Sequence, residues 1–200
     1  MRRIATNFCA FVVLAILVIP SLAEASRPGP YVQGAFVMQW LTGDAKTKWD
    51  NRFPGSSNDY LGGSLAGGYF IFEWLAFGAR LQIIDQRAVE SGSTQMAALY
   101  AGQVKLYPLQ IGGSGGLLEP YLTSGFGAQT TFGTNCSDCS DTNFLFELGA
   151  GLDIMFTSQW GLFAEFDYQL VTSVTDADVD SFDVENENQL GFLMGITYRF

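Results

Sequence analysis

Gln189-Leu190-Gly191-Phe192-Leu193-Met194-Gly195-Ile196-Thr197-Tyr198-Arg199-Phe200 closes the chain. Leu190, Phe192, Met194, Ile196, Tyr198 and Phe200 occupy every second position, and Gln189, Gly191, Leu193, Gly195, Thr197 and Arg199 lie between them. A period of two belongs to a β-strand, whose successive side chains point to opposite faces. One face of this strand is apolar and the other mostly small or polar, the two-sided pattern of a barrel strand standing in a membrane.

Seven further stretches read the same way, predicting strands over about Tyr31–Thr42, Asp59–Phe72, Trp74–Ile84, Thr94–Tyr107, Pro120–Phe132, Asn143–Phe156 and Gly161–Val171. Phe144, Phe146, Leu148, Ala150, Leu152 and Ile154 alternate with Glu147, Gly149, Gly151 and Asp153; Leu162, Ala164, Phe166, Tyr168 and Leu170 alternate with Glu165, Asp167 and Gln169. In nearly every stretch the charged and amide side chains share a face with the glycines. A soluble barrel with a dry interior would be patterned the other way, so the polar face is read as the lumen and the apolar face as lipid-facing. Each stretch meets the ~9–11 residues a tilted strand needs to cross the hydrocarbon layer. Backbone groups in lipid leave no room for an open sheet edge, so the strands must close. The predicted fold is all-β: an eight-stranded antiparallel up-and-down transmembrane β-barrel. The rival architecture, a secreted lipocalin-like barrel, requires the apolar face inside.

The start of the chain reads as an address. Arg2 and Arg3 precede the apolar run Phe8–Leu22, which ends in Ala23-Glu24-Ala25, the layout of a cleavable signal peptide. Residues 1–25 are assigned to it, with Ala23 as a second cleavage position, and residues 26–200 to the barrel. Cys9 falls in the removed segment, without lipoprotein context. Removing 25 of 200 residues leaves 175, enough for one domain. Losing Arg2, Arg3 and Glu24 takes 10 basic and 20 acidic residues to 8 and 19, a net charge of −11. No Lys/Arg cluster is present for nucleic acid, and no other run is apolar for the 18 residues of a spanning helix.

Connection lengths are an independent test. Glu73-Trp74 and Thr157–Trp160 are tight turns, whereas the loops after the first, third, fifth and seventh strands are longer and rich in Asp, Asn and Ser. Short turns at one end and long loops at the other is the outer-membrane arrangement, with both termini at the short-turn, periplasmic end. Gln110 to Glu119, rich in glycine, reads as a flexible turn at that end, and Trp74, Tyr107, Tyr121, Trp160, Tyr198 and Phe200 as an aromatic girdle around its rim.

Val104-Lys105-Leu106-Tyr107, Glu119-Pro120-Tyr121-Leu122 leading into Gly125-Phe126-Gly127, and Ile196-Thr197-Tyr198-Arg199-Phe200 resemble the eight-stranded outer-membrane barrels related to the transmembrane domain of outer membrane protein A and to opacity-type surface antigens. The resemblance spans the mature chain as a pattern and implies location in the bacterial cell outer membrane. It also implies that the barrel-insertion machinery reads Tyr198 and Phe200 as an assembly signal. Members of that family differ in function. The chain departs from full-length outer membrane protein A in ending on Phe200, which leads us to expect a stand-alone barrel without a peptidoglycan-binding domain.

Seven charges are assigned to the lumen: Arg80, Lys105 and Arg199 against Glu147, Asp153, Glu165 and Asp167. Barrels of eight strands have interiors just wide enough for side chains to fill, and buried ions need partners. The set therefore reads first as an interior salt-bridge network, with a narrow pore as the second reading and paired-carboxylate catalysis as a distant third. The sequence contains no histidine. Enzymatic barrels of this size that act on lipid A or acyl chains resemble serine hydrolases with a His base, and no such triad can be built here. No catalytic residue and no cofactor are assigned.

Cys136 and Cys139 form a C-x-x-C in the loop Gly133–Thr142, read as a small loop disulfide in an oxidising compartment, because the βαβ context of a thioredoxin-like motif is missing. Asp176, Asp178, Asp180 and Glu187 have the one, three, five, twelve spacing of a calcium loop. Ser181 replaces the glycine of the sharp turn and no helices flank it, so a solvated acidic loop is the stronger reading. Taken together, the expectation is a non-enzymatic outer-membrane barrel with a structural or surface-interaction role through its long extracellular loops. Its partners would be outer-membrane lipid, the insertion machinery and extracellular or host ligands; the alternative is a narrow porin or transporter for small or apolar solutes.

Overall fold

The computed structural model describes residues 28–43, 59–87, 94–112, 117–133, 140–174 and 184–200. Eight strands run in chain order: β1 (Pro30–Thr42), β2 (Asp59–Phe72), β3 (Leu75–Arg87), β4 (Thr94–Leu106), β5 (Leu118–Gly133), β6 (Ser140–Met155), β7 (Trp160–Val174) and β8 (Val184–Arg199). Every neighbouring pair is antiparallel, and β1 pairs with β8, from Tyr31 opposite Arg199 to Thr42 opposite Asn188, so the sheet closes. Closure gives each backbone donor and acceptor in the wall a partner, which lipid demands. Among the described residues no helix is long and apolar enough to cross a membrane.

The two faces separate as the alternation requires. Phe126 and Phe144 stand 78% and 73% exposed on the outside, while Lys105 and Glu165 are 0% exposed inside. The strands outrun their predicted bounds at several ends: β8 begins at Val184, β6 at Ser140 and β5 at Leu118, and β7 continues to Val174. Backbone pairing carries on past the hydrocarbon layer, whereas the apolar alternation that announces a strand in sequence ends with the layer.

Two features of the turn end differ from expectation. Of the stretch Gln110–Glu119, residues 113–116 lie outside the described residues; at its two ends the chain is regular, with Pro108–Gly112 forming a 3-10 turn and Leu118 and Glu119 already in β5. Tyr107 and Tyr121 are not part of an external girdle. They are 1% and 2% exposed, packed with Tyr31, Phe70 and Ala76 inside the barrel. Tyr107 and Tyr121 ring centroids lie 5.2 Å apart, and Phe70 lies 5.4 Å from Tyr107 and 5.3 Å from Tyr31. Tyr121 sits between the outward Pro120 and Leu122, and strand parity therefore turns it inward. The outer aromatics of this rim are Trp160, Tyr198 and Phe200, with centroids 4.6 and 4.8 Å apart in sequence along the row, and Trp74, stacked on Phe72.

Candidate functional site: the lumen

Among the described residues, eight Asp, Glu, Lys and Arg side chains are buried inside the barrel, in two groups, with Lys105 in the second. Near the turn end, Arg199 Nη2 donates to Glu119 Oε2 at 2.6 Å and to Asp153 Oδ2 at 2.7 Å. Glu119 and Asp153 are direct cross-strand partners, an arrangement that repels unless a cation lies between the two carboxylates. Tyr107 donates its hydroxyl to Asp153 at 3.0 Å and Gln110 its amide to Glu119 at 3.2 Å. The guanidinium carbon of Arg199 also lies 5.3 Å from the centroid of Phe70.

Further from the turns, Arg80 is the hub. It pairs with Glu165, lies 3.3 Å from Asp167 and 3.7 Å from Glu147. Lys105 Nζ reaches Glu165 at 3.4 Å, donates to Gln33 Oε1 at 2.6 Å, and sits 4.5 Å from the Tyr121 ring centroid. Tyr121 donates to Glu165 at 2.7 Å, Gln169 to Asp167 at 3.0 Å, and Gln103 to Glu147. Each of the five carboxylates therefore meets a cation and a neutral donor, which offsets part of the cost of burying its charge.

Glycines make the room. Glu147 is paired with Gly125, Asp167 with Gly191 across the other ladder, and Tyr121 with Gly151. A Cβ at Gly125 would meet the Glu147 carboxylate, one at Gly191 the Asp167 carboxylate, and one at Gly151 the Tyr121 ring. The shared face of charges and glycines seen in the sequence is thus a fit between long and absent side chains in a narrow tube.

Past Arg80, Gln39 donates to Gln169 at 2.6 Å and to Gln189, and Gln82 donates to Gln39 at 3.4 Å. Toward the loop ends of β3, β4, β6 and β7 the inner face turns apolar. Ile84, Ala97, Leu99, Leu145 and Val171 join Val37, Leu193 and Phe163 in one buried cluster. From the turn end the lumen is filled by aromatic rings, ion pairs and amides, with apolar side chains both beside the ion pairs, at Phe163 and Leu193, and beyond the amides, at Ile84, Ala97, Leu145 and Val171.

All seven sequence-assigned charges, Arg80, Lys105, Glu147, Asp153, Glu165, Asp167 and Arg199, lie in this interior. Glu119 makes the eighth: a strand beginning at Pro120 leaves it out, whereas parity carried from Tyr121 two residues upstream places it inside. The glutamine tier was also on the inner face in the sequence, but neutral amides at strand spacing carry no signal of which strands will meet. Cys136, Cys139, Asp176, Asp178 and Asp180, together with residues 1–25, lie outside the described residues, and of Glu187 only the backbone, within β8, is described. Among the described residues no group of three or more Cys, Asp or Glu side chains is arranged to hold a metal ion.

A closed antiparallel sheet with an apolar exterior and a filled polar interior defines a transmembrane β-barrel of the outer-membrane type. The chain belongs to the outer membrane protein beta-barrel domain family, whose model matches residues 9–200. Among solved structures it is similar to Neisserial surface protein A, at 15% identity and a TM-score of 0.64 over 86% of this chain and 97% of that one. It is also similar to outer membrane protein W of E. coli, at 14% identity and TM-score 0.52 over 86% and 98%. Ail, the attachment invasion locus protein of Yersinia pestis, gives 13% and 0.50 over 86% and 99%. At these identities the likeness is one of fold. No curated protein matches the chain in sequence. Fold and family place it in the bacterial outer membrane.

Proposed function

We propose that this barrel is a sealed, non-enzymatic scaffold that presents its loops at the cell surface. The observation that carries the reading is the burial of the lumen: the side chains of Gln39, Lys105, Asp153, Glu165 and Gln169 are each fully buried. An aqueous channel would leave its lining wet. The ion pairs are only one of the seals, since the glutamine tier and the aliphatic cluster lie in series with them. The absence of histidine supports the non-enzymatic part, as the carboxylates inside are already engaged by Arg80, Lys105 and Arg199.

The strand ends Thr42 and Asp59, Arg87 and Thr94, Gly133 and Ser140, and Val174 and Val184 stand opposite the end that carries Pro30 and Arg199, and sequence variation between each two of them would change the contact surface without touching the wall. The last pair brackets Asp176, Asp178 and Asp180 on a chain of net charge −10, which favours cationic ligands over polyanions. Tyr198 and Phe200 would be the residues read by the insertion machinery. The purified barrel in planar lipid bilayers is expected to give no channel steps; reproducible steps of uniform size would overturn the sealed reading in favour of a narrow porin.

A further inference from the structure

Between β4 and β5 the turn end carries an apolar surface that the barrel wall does not use. Leu109 and Ile111 are 56% and 64% exposed on the 3-10 turn, and Leu117, Leu118 and Phe156 beside it are exposed as well. From Leu106 to Leu118 the chain has no charged residue. A turn standing in water would gain from Asp, Asn or Lys there. Its Gln110 is instead buried, donating inward to Glu119 at 3.2 Å, with its backbone N–H on the Tyr107 carbonyl at 3.1 Å. Spending the amide inside leaves Leu109 and Ile111, on either side of it, on the outside.

Both feet of the turn stand at the level of the rim aromatics. Tyr107 donates its backbone N–H to the carbonyl of Trp74 at 2.8 Å. At the other foot, Met155 donates to the carbonyl of Leu117 at 2.9 Å and Phe156 to that of Trp160 at 3.1 Å. Aromatic residues of this kind mark the boundary between hydrocarbon and headgroups. The patch is continuous with the lipid-facing wall through Leu118, which is paired with Ile154.

We propose that the β4–β5 turn is an interfacial anchor: Leu109, Ile111 and Leu117 insert into the acyl–headgroup boundary of the periplasmic leaflet and fix the depth of the barrel in the bilayer. The occupant is phospholipid, because the patch extends a surface that already faces lipid and carries no charge for a protein partner to pair with. Short apolar segments bind such boundaries through the area they bury.

The test is a depth measurement on the full mature chain in bilayer discs. Ile111→Cys and Leu117→Cys, each in a chain with Cys136→Ser and Cys139→Ser and each first shown to be heat-modifiable, carry an environment-sensitive fluorophore. The expected result is blue-shifted emission, quenched by phosphatidylcholine brominated near the headgroup and protected from aqueous iodide. Quenching by iodide without quenching by bromolipid would place the turn in water and overturn the proposal. Protection from both quenchers together with cross-linking between copies would assign the patch to a second copy of this chain and overturn it equally. Should neither variant fold, proteinase treatment of the unaltered chain decides: fragments cut between 107 and 117 in discs refute the anchor, and cleavage there in detergent only supports it.

Discussion

Arg80→Ala is expected to be the most destabilising single substitution in the lumen, lowering the unfolding free energy by about 3–5 kcal/mol, the range for removing one partner of a buried ion pair. Arg80 is the shared cation of Glu147, Glu165 and Asp167, and its loss leaves, among the described residues, Lys105 on Glu165 as the one remaining cation in contact with that group. Arg80→Ala combined with Glu165→Gln is expected to recover part of the loss, because the double variant removes a charge that the single variant strands, and sites that share a network are not additive. Urea unfolding of the folded barrel in detergent micelles measures both. Equal losses in the single and double variants would show that Arg80 acts by packing rather than by charge. The Arg80→Ala barrel is also expected to stay silent in planar bilayers, since the glutamine and aliphatic tiers remain in place.

Gly195→Ala is expected to cost at least about 1–3 kcal/mol, the range for overpacking a well-filled site. Gly195 lies on the seam where β8 meets β1, opposite Ala35. A Cβ there would run into the Gly34 carbonyl and come within 2.6 Å of the Ala35 Cα, both backbone groups that yield only if the seam opens. Gly34→Ala, one step away on the partner strand, meets nothing within 4 Å and is expected to be neutral or nearly so. The temperature at which each variant loses its folded electrophoretic mobility separates the two cases. Equal transition temperatures would show that the seam has slack and that the inner face does not dictate closure.

The architecture was legible in the sequence because a wall one residue thick records both of its environments in a single strand. Leu162, Ala164, Phe166 and Glu165, Asp167, Gln169 alternate without a break, and one register shift would turn every one of them to the wrong side. That is why the faces of all eight strands and the seven lumen charges could be assigned before any partner was known. What periodicity cannot carry is which inward side chains meet. Arg80 on β3 reaches Glu165 and Asp167 on β7, across the barrel rather than along a ladder, and that distance depends on tilt and stagger. Composition misled where parity did not: Tyr107 and Tyr121 look like rim aromatics, yet their neighbours Leu106 and Leu122 assign them to the floor of the lumen. Pro120 likewise looked like a strand start, because proline cannot donate to a ladder, and this hid Glu119 and its ion pair with Arg199.

Membrane fractionation followed by electrophoresis with and without boiling tests the inside-out barrel most directly. The chain is expected in the outer-membrane fraction, running at two mobilities, a compact form before boiling and an extended form after it. A chain recovered from the soluble fraction without detergent, with one mobility under both conditions, would contradict the inside-out barrel.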